Sequence, residues 1–255
     1  MPSSRSCRIE RWSEGNLETI EDHLAAEEPL QVVVDGRPLA VLMRTPGDDH
    51  ELVTGFLLTE GIITRADQVR RIDLEARDNH ALVFLADGHS CDWERLTRHL
   101  FSASSCGLCG KATIEAIQQS HPPIEDPADF APGMLQAAPK RLRAAQANFE
   151  ATGGLHASGI FSQAGELLLL REDVGRHNAL DKVIGQGLDD GLDFSRTFLL
   201  VSGRVSFELM QKALAARIPL VAGISAPSSL AVEFAQTSGQ RLVGFLRPPS
   251  MNFYT

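Results

Sequence analysis

The groups in this chain best suited to covalent chemistry are the two thiols of Cys106-Gly107-Leu108-Cys109. A thiolate is the reactive form of cysteine, and a helix N-terminus or a neighbouring cation lowers the thiol pKa. Cys109 stands one residue before Gly110-Lys111, where helical spacing begins, and Gly107 and Gly110 leave room for a partner's sulfur. The same Cys-x-x-Cys is also a common half of a structural zinc site, which needs two more ligands. Cys7 and Cys91 are isolated from each other in sequence. The residues alone therefore leave sulfur or redox chemistry and metal binding equally open. Thioredoxin-like chemistry fits less well, because no early βαβ strand precedes the motif.

A second cluster is Thr152-Gly153-Gly154-Leu155-His156-Ala157-Ser158-Gly159. Its glycines would let a ligand approach the backbone, with His156 as donor or acid/base. A glycine turn with a satisfied histidine is the simpler reading of the spacing. Zinc deaminases join H-x-E to P-C-x-x-C. Here Ala157-Ser158 follow the histidine, Ser105 precedes Cys106, and the order is reversed, so deaminase chemistry has no support.

Arg171 to Lys182 holds seven charged residues or histidines in twelve positions, directly after a four-leucine run. Such runs are usually solvated faces, but this one falls at a helix start, where Asp173 could cap and Arg176 and His177 point toward a sheet edge. Ser202-Gly203-Arg204 and Ser225-Ala226-Pro227-Ser228-Ser229 both lie between a strand and a helix. Each could be simple capping. Two side by side, with Arg247 nearby, suit a nucleotide-like anion. Neither is a dinucleotide fingerprint or a P-loop, so ordinary NAD or ATP use is not indicated.

The elements that must position these groups follow from apolar periodicity. Residues 1–28 read as a flexible, polar start. Residues 29–100 read as a small α+β subdomain: strands 30–34 and 39–43 about a turn, a helix over 50–60, strands 69–74 and 81–86. Residues 101–255 read as an α/β domain with the cysteine loop at its start. Residues 121–132 form a surface connection and 133–150 a helix. Paired strands at 160–161 and 167–170 precede a helix over 175–185. Strand 197–201, helix 207–216, strand 220–224, helix 229–237 and strand 241–246 then alternate as parallel βαβ units. The loops after residues 201, 224 and 246 should therefore share one carboxyl edge of the sheet.

Composition bounds the function. A formal charge of −9 argues against nucleic-acid binding. No apolar run reaches the roughly 18 residues of a membrane helix. The first residues show no secretory h-region, and four cysteines in 255 residues make no disulfide framework. These features suit the reducing cytoplasm.

The motifs together resemble the formate dehydrogenase accessory sulfurtransferase family. The matching stretches are Val41 to Asp48, Gly55 to Gly61, Ser105 to Lys111, Thr152 to His156, Arg171 to Lys182, Ser202 to Arg204 and Ser225 to Ser229, within a likeness running from about residue 28 to the end. The resemblance implies a three-layer, cytidine-deaminase-like main domain with the small α+β subdomain before it. It implies a sulfur carrier: Cys106 takes sulfur from a cysteine desulfurase as a persulfide, with Cys109 as the second loop thiol. The sulfur then passes to the bis-molybdopterin guanine dinucleotide molybdenum cofactor before insertion into formate dehydrogenase. The cofactor-binding residues so implied are Phe245, Leu246, Arg247, Pro248, Pro249 and Ser250, joined by Ser202, Arg204, His156 and His177. Pro248-Pro249-Ser250 departs from the glycine or basic residue expected there. No tightly bound metal is expected, and paired cofactor halves would suit a symmetric homodimer. The competing reading is a non-catalytic, zinc-containing chaperone for the cofactor.

Overall fold

The computed structural model describes residues 2–91, 93 and 121–255. Cys106 and Cys109 lie outside the described residues. Three sheets organise the rest. Strands β1 (Ser4–Ser13) and β2 (Asn16–Ala25) form a hairpin, correcting the expectation of a flexible start. Glu14 and Gly15 both take positive φ (51° and 87°), the backbone that a two-residue hairpin turn needs. The polar strands hid this pairing from any reading based on apolar alternation.

A four-stranded sheet follows, ordered β4-β3-β6-β5, from β3 (Glu28–Val34), β4 (Arg37–Arg44), β5 (Val69–Asp73) and β6 (His80–Leu85). Its buried face alternates as the pleat requires: Leu30, Val32 and Val34 lie beside Ala81, Val83 and Leu85. Helix α1 (Asp49–Thr59) covers that face with Leu52, Val53 and Leu57. Residues 52 to 59 of α1 are all buried, because its opposite side is covered as well.

What covers it is α5 (Arg176–Asp189), a helix of the main domain. A Cβ added to Gly55 would lie 1.8 Å from the Asp181 carbonyl oxygen, and one added to Gly185 1.9 Å from that of Glu51. One hydrophobic cluster runs from Leu30 through Leu57, Leu180 and Val183 to Leu242. Among the described residues this cluster joins the small sheet to the main one.

The main sheet is ordered β12-β11-β10-β9-β7-β8. It is built from β7 (His156–Ser162), β8 (Leu167–Asp173), β9 (Thr197–Val201), β10 (Leu220–Gly223), β11 (Arg241–Arg247) and β12 (Ser250–Phe253). Strands β9, β10 and β11 are parallel, with α6 (Phe207–Ala215) and α7 (Ser229–Ser238) as their crossovers. The flanks are antiparallel, so the sheet is mixed where the alternation suggested only parallel units. Side-chain alternation divides the core in two. Leu199, Val201 and Val221 face α5, α6 and α7, while Phe198, Leu200, Leu220 and Ala222 face Phe130, Leu135, Ala138 and Leu142. The result is a mixed α/β architecture of three layers.

The helix expected over 133–150 is three short ones: α2 (Pro132–Leu135), α3 (Ala138–Ala145) and α4 (Ala147–Thr152). Pro132 and Pro139 suit first-turn positions, and Gln146 leaves the helical region at φ −80°, ψ 73°. Strand β12 was not expected, because Pro248-Pro249 reads as a terminator; the chain instead turns there and pairs back on β11. No helix among the described residues is long and apolar enough to cross a membrane.

Candidate functional site at the carboxyl edge of the main sheet

Strand directions bring the singled-out segments together. The parallel strands β9, β10 and β11 place the loops after Val201, Gly223 and Arg247 on one edge. Strand β7 runs opposite to β9, so its first residue, His156, starts at that same edge. Strand β8 ends there too, with Asp173 in register with His156. Helix α5 begins three residues later. Arg176, Arg204 and Arg247 thus stand along one edge.

The loops are fastened to one another. Ser225 N–H donates to the Gly203 carbonyl (3.3 Å), Ser228 N–H to that of Val205 (2.9 Å), and Phe245 N–H to that of Ser225 (3.1 Å). Gly223 and Gly244 allow this closeness: added Cβ atoms would lie 2.7 Å from Val205 Cγ2 and 2.7 Å from Pro227 Cδ.

Some expected site residues hold the frame. Ser202 Oγ accepts the Ala157 N–H at 2.9 Å, tying β9 to β7. Ser228 Oγ caps α7 by accepting from Ala231 N–H at 3.2 Å. Leu246 is 0% exposed within the core that faces Leu135 and Leu142, so its side chain cannot line a site. Across the bulge between Gly244 and Arg247, Leu246 shares the buried face of Val243 rather than that of Leu242. Its backbone alone remains for a ligand.

Others are presented outward. Phe245 has φ 50° and is 38% exposed, an aromatic held in a backbone region that costs side-chain-bearing residues about 1–3 kcal/mol. Arg247 Nε donates to the Ile224 carbonyl at 2.8 Å, leaving its other guanidinium nitrogens for a ligand. Arg204 is exposed and makes no hydrogen bond or ion pair among the described residues. Pro248, Pro249 and Ser250 are exposed, and the Pro249 carbonyl accepts from Gln136 Nε2 at 3.2 Å.

His156 packs against the glycine of the next loop: a Cβ built on Gly203 would lie 3.5 Å from its Nδ1. Burial and the Arg176 charge lower its pKa, against a weaker opposing pull from Asp173. His177 is pushed down to about 4, first by burial, then by Arg176 and Lys212, with Glu208 and Glu60 opposing. Its Nε2 lies 4.0 Å from Glu208 Oε2 with no hydrogen-bond partner among the described residues. Both imidazoles are therefore neutral at pH 7, so the His177–Glu208 contact is no ion pair there.

The charge-rich segment before them is mostly framework. Asp173, 0% exposed, accepts from Thr45 N–H (3.0 Å), Gly175 N–H (2.8 Å) and Asn178 Nδ2 (3.0 Å), and pairs with Lys182 Nζ at 2.9 Å. Lys182 also donates to the Thr45 carbonyl at 2.8 Å. Glu172 accepts from Asn148 N–H (2.9 Å) and Phe149 N–H (2.8 Å) at the start of α4. Asp181 meets Lys212 Nζ at 2.9 Å and Thr59 Oγ1 at 2.8 Å. Burial pushes Asp181 up to about 6, while Lys212, although burial disfavours its charge, is held protonated by Asp181 and Glu60. Sequence reading placed Arg176 near the edge without assigning it to the site. The one signal for it was its place at a helix start directly after a strand.

The carboxylate, thiol and imidazole groups of the described residues form no cluster of three that could hold a metal ion. The edge instead combines three guanidinium groups, two neutral histidines and an outward aromatic ring, a set suited to a phosphate-bearing aromatic ligand.

Comparison with known proteins adds the following. The model of the FdhD/NarQ family matches residues 25–255. The sulfur carrier protein FdhD of Streptomyces avermitilis is 49% identical over 259 residues, covering 97% of this chain and 92% of the relative. That of Mycobacterium tuberculosis is 47% identical, covering 97% and 95%. That of the archaeon Sulfolobus acidocaldarius is 41% identical, covering 98% and 96%. The crystal structure of a candidate formate dehydrogenase accessory protein from Desulfotalea psychrophila superposes with a TM-score of 0.78 at 23% identity, covering 100% of this chain and 97% of that one. That likeness bears on the fold.

Proposed function

The chain belongs to the FdhD/NarQ family, and from that premise we propose that it is a sulfurtransferase carrying persulfide sulfur to the molybdenum cofactor of formate dehydrogenase. The observation that carries this reading is the near full-length identity to proteins named sulfur carrier. In the proposed first step the Cys106 thiolate attacks the outer sulfur of a cysteine desulfurase persulfide. One S–S bond forms as another breaks, the desulfurase leaves as a thiolate, and no external oxidant is needed. Cys109 is the second thiol of the loop. The substrate at the carboxyl edge is the bis-molybdopterin guanine dinucleotide cofactor.

The edge supports this substrate. Arg204 and Arg247 suit its phosphates, the exposed ring of Phe245 offers a base a stacking surface, and the turn Arg247 to Ser250 lies beside them. Neutral His156 and His177 can accept or donate a hydrogen bond at pH 7 without adding charge. We further propose that the recipient is formate dehydrogenase, that the working form is a cytoplasmic homodimer, and that no resident metal is required. The test is metal and sulfur analysis of the purified protein. Sulfide released by reductant supports the carrier, whereas stoichiometric zinc without labile sulfur would instead indicate a zinc-holding chaperone.

A further inference from the structure

Of the seven charged residues and histidines between Arg171 and Lys182, five are engaged within the protein. Arg171 meets Glu51 at 3.3 Å and Asp48 at 3.5 Å. Glu172, Asp173, Asp181 and Lys182 have the partners given above. Arg176 is different. It is half-buried, its charge acts on both His156 and His177, and it makes no hydrogen bond or ion pair among the described residues. The carboxylates around it do not neutralise it. Asp173 is already filled by four donors, and Glu208, which feels the Arg176 charge, stays beyond ion-pair distance. A guanidinium partly removed from water without a counter-ion favours an anion from outside.

Its position along the edge says which part of a ligand it meets. Arg176 follows β8 and Arg247 ends β11, with β7, β9 and β10 between them. Four strand spacings separate the two, roughly 19 Å at about 4.8 Å each. One pyrophosphate cannot reach both. A nucleotide held at Arg247 therefore presents its far end to Arg176, at the place where His156 packs on Gly203.

We propose that Arg176, with His156 beside it, forms a second anion subsite at the β7–β8 end of the edge, receiving the negatively charged, sulfur-bearing end of the ligand whose nucleotide end meets Arg247. This rests on the sulfur-carrier reading and adds the residue that orients the ligand's reactive end. The small thioanion tetrathiomolybdate is the probe, titrated calorimetrically into the full-length protein with and without saturating GDP. Wild type binds it equally well in both conditions. Arg176→Gln weakens tetrathiomolybdate by about tenfold or more and leaves GDP unchanged, Arg247→Gln does the reverse, and Arg176→Lys recovers part of the loss. Unchanged thermal midpoints show that the variants are folded. Displacement of tetrathiomolybdate by GDP, or wild-type affinity in Arg176→Gln, overturns the subsite. Failure of GDP to bind wild type would instead overturn the nucleotide reading on which it stands.

Discussion

Lys182 Nζ and Asp173 Oδ2 form an ion pair of 2.9 Å in which the two side chains are 1% and 0% exposed. It joins the first turns of α5 to the end of β8, and through Thr45 it clamps the small sheet onto the main one. Asp173 stands in register with His156 and three residues before Arg176, so the pair fixes the backbone next to both.

Breaking one side of this pair leaves a buried charge unmatched. Lys182→Met should destabilise the protein by about 3–5 kcal/mol, measured by urea unfolding. A loss below about 1 kcal/mol would mean that the pair is open to water in solution.

The helix crossing behind the site is equally testable. Gly55→Ala and Gly185→Ala each place a methyl within 1.9 Å of a backbone carbonyl oxygen, where no rotamer change gives relief. Each should cost about 3 kcal/mol or more as the helices are forced apart. Gly133→Ala, which meets nothing within 4 Å, serves as the control and should unfold like wild type.

Much of this arrangement was legible in sequence, and the rest has physical reasons for being hidden. Strands such as Leu30 to Val34 and Phe198 to Val201 announce themselves because apolar side chains must cover helices. The shared edge followed from parallel strands, whose ends can only point one way. The hairpin from Ser4 to Ala25 was missed because its faces are polar. Leu246 entered the site with the whole segment Phe245 to Ser250 through the family resemblance, and the bulge that separates its face from that of its neighbours is invisible in sequence. The roles of Asp173, Asp181 and Lys182 were unreadable because Thr45, Thr59 and Lys212 lie 31 to 137 positions away. Cys106 and Cys109 stand out by type and spacing, and their roles rest on the family resemblance, both residues lying outside the described ones.

Acid should weaken the fold through His177. Its folded pKa of about 4 lies below the ordinary histidine value of 6.5, so the folded state disfavours protonation. The stabilisation from keeping this ring neutral is full above about 6.5 and disappears as pH falls toward 4. His156, lowered in the same direction, adds to the upper part of that window. Asp181, raised to about 6, acts in the opposite sense and is present in both proteins compared. The stability of His177→Gln relative to wild type should therefore rise steadily between pH 6.5 and 4. A constant difference across that range would show that His177 is free to protonate.

Ligand binding separates outward from inward residues on β11. Arg247→Ala should weaken GDP by about tenfold, the scale of one charge-assisted contact. Leu246→Ala should lower the unfolding midpoint through a core cavity, costing about 2–5 kcal/mol, while GDP affinity of the folded fraction stays near wild type. Equal loss of affinity in both variants would place Leu246 in the site after all.

The proposed function stands or falls with transferable sulfur on Cys106. The most direct measurement is the intact mass of the protein after incubation with a cysteine desulfurase and cysteine. Wild type should gain one sulfur atom that reductant removes, whereas Cys106→Ala should gain none and should not activate formate dehydrogenase. A Cys106→Ala protein that still gains labile sulfur and still activates the enzyme would contradict it.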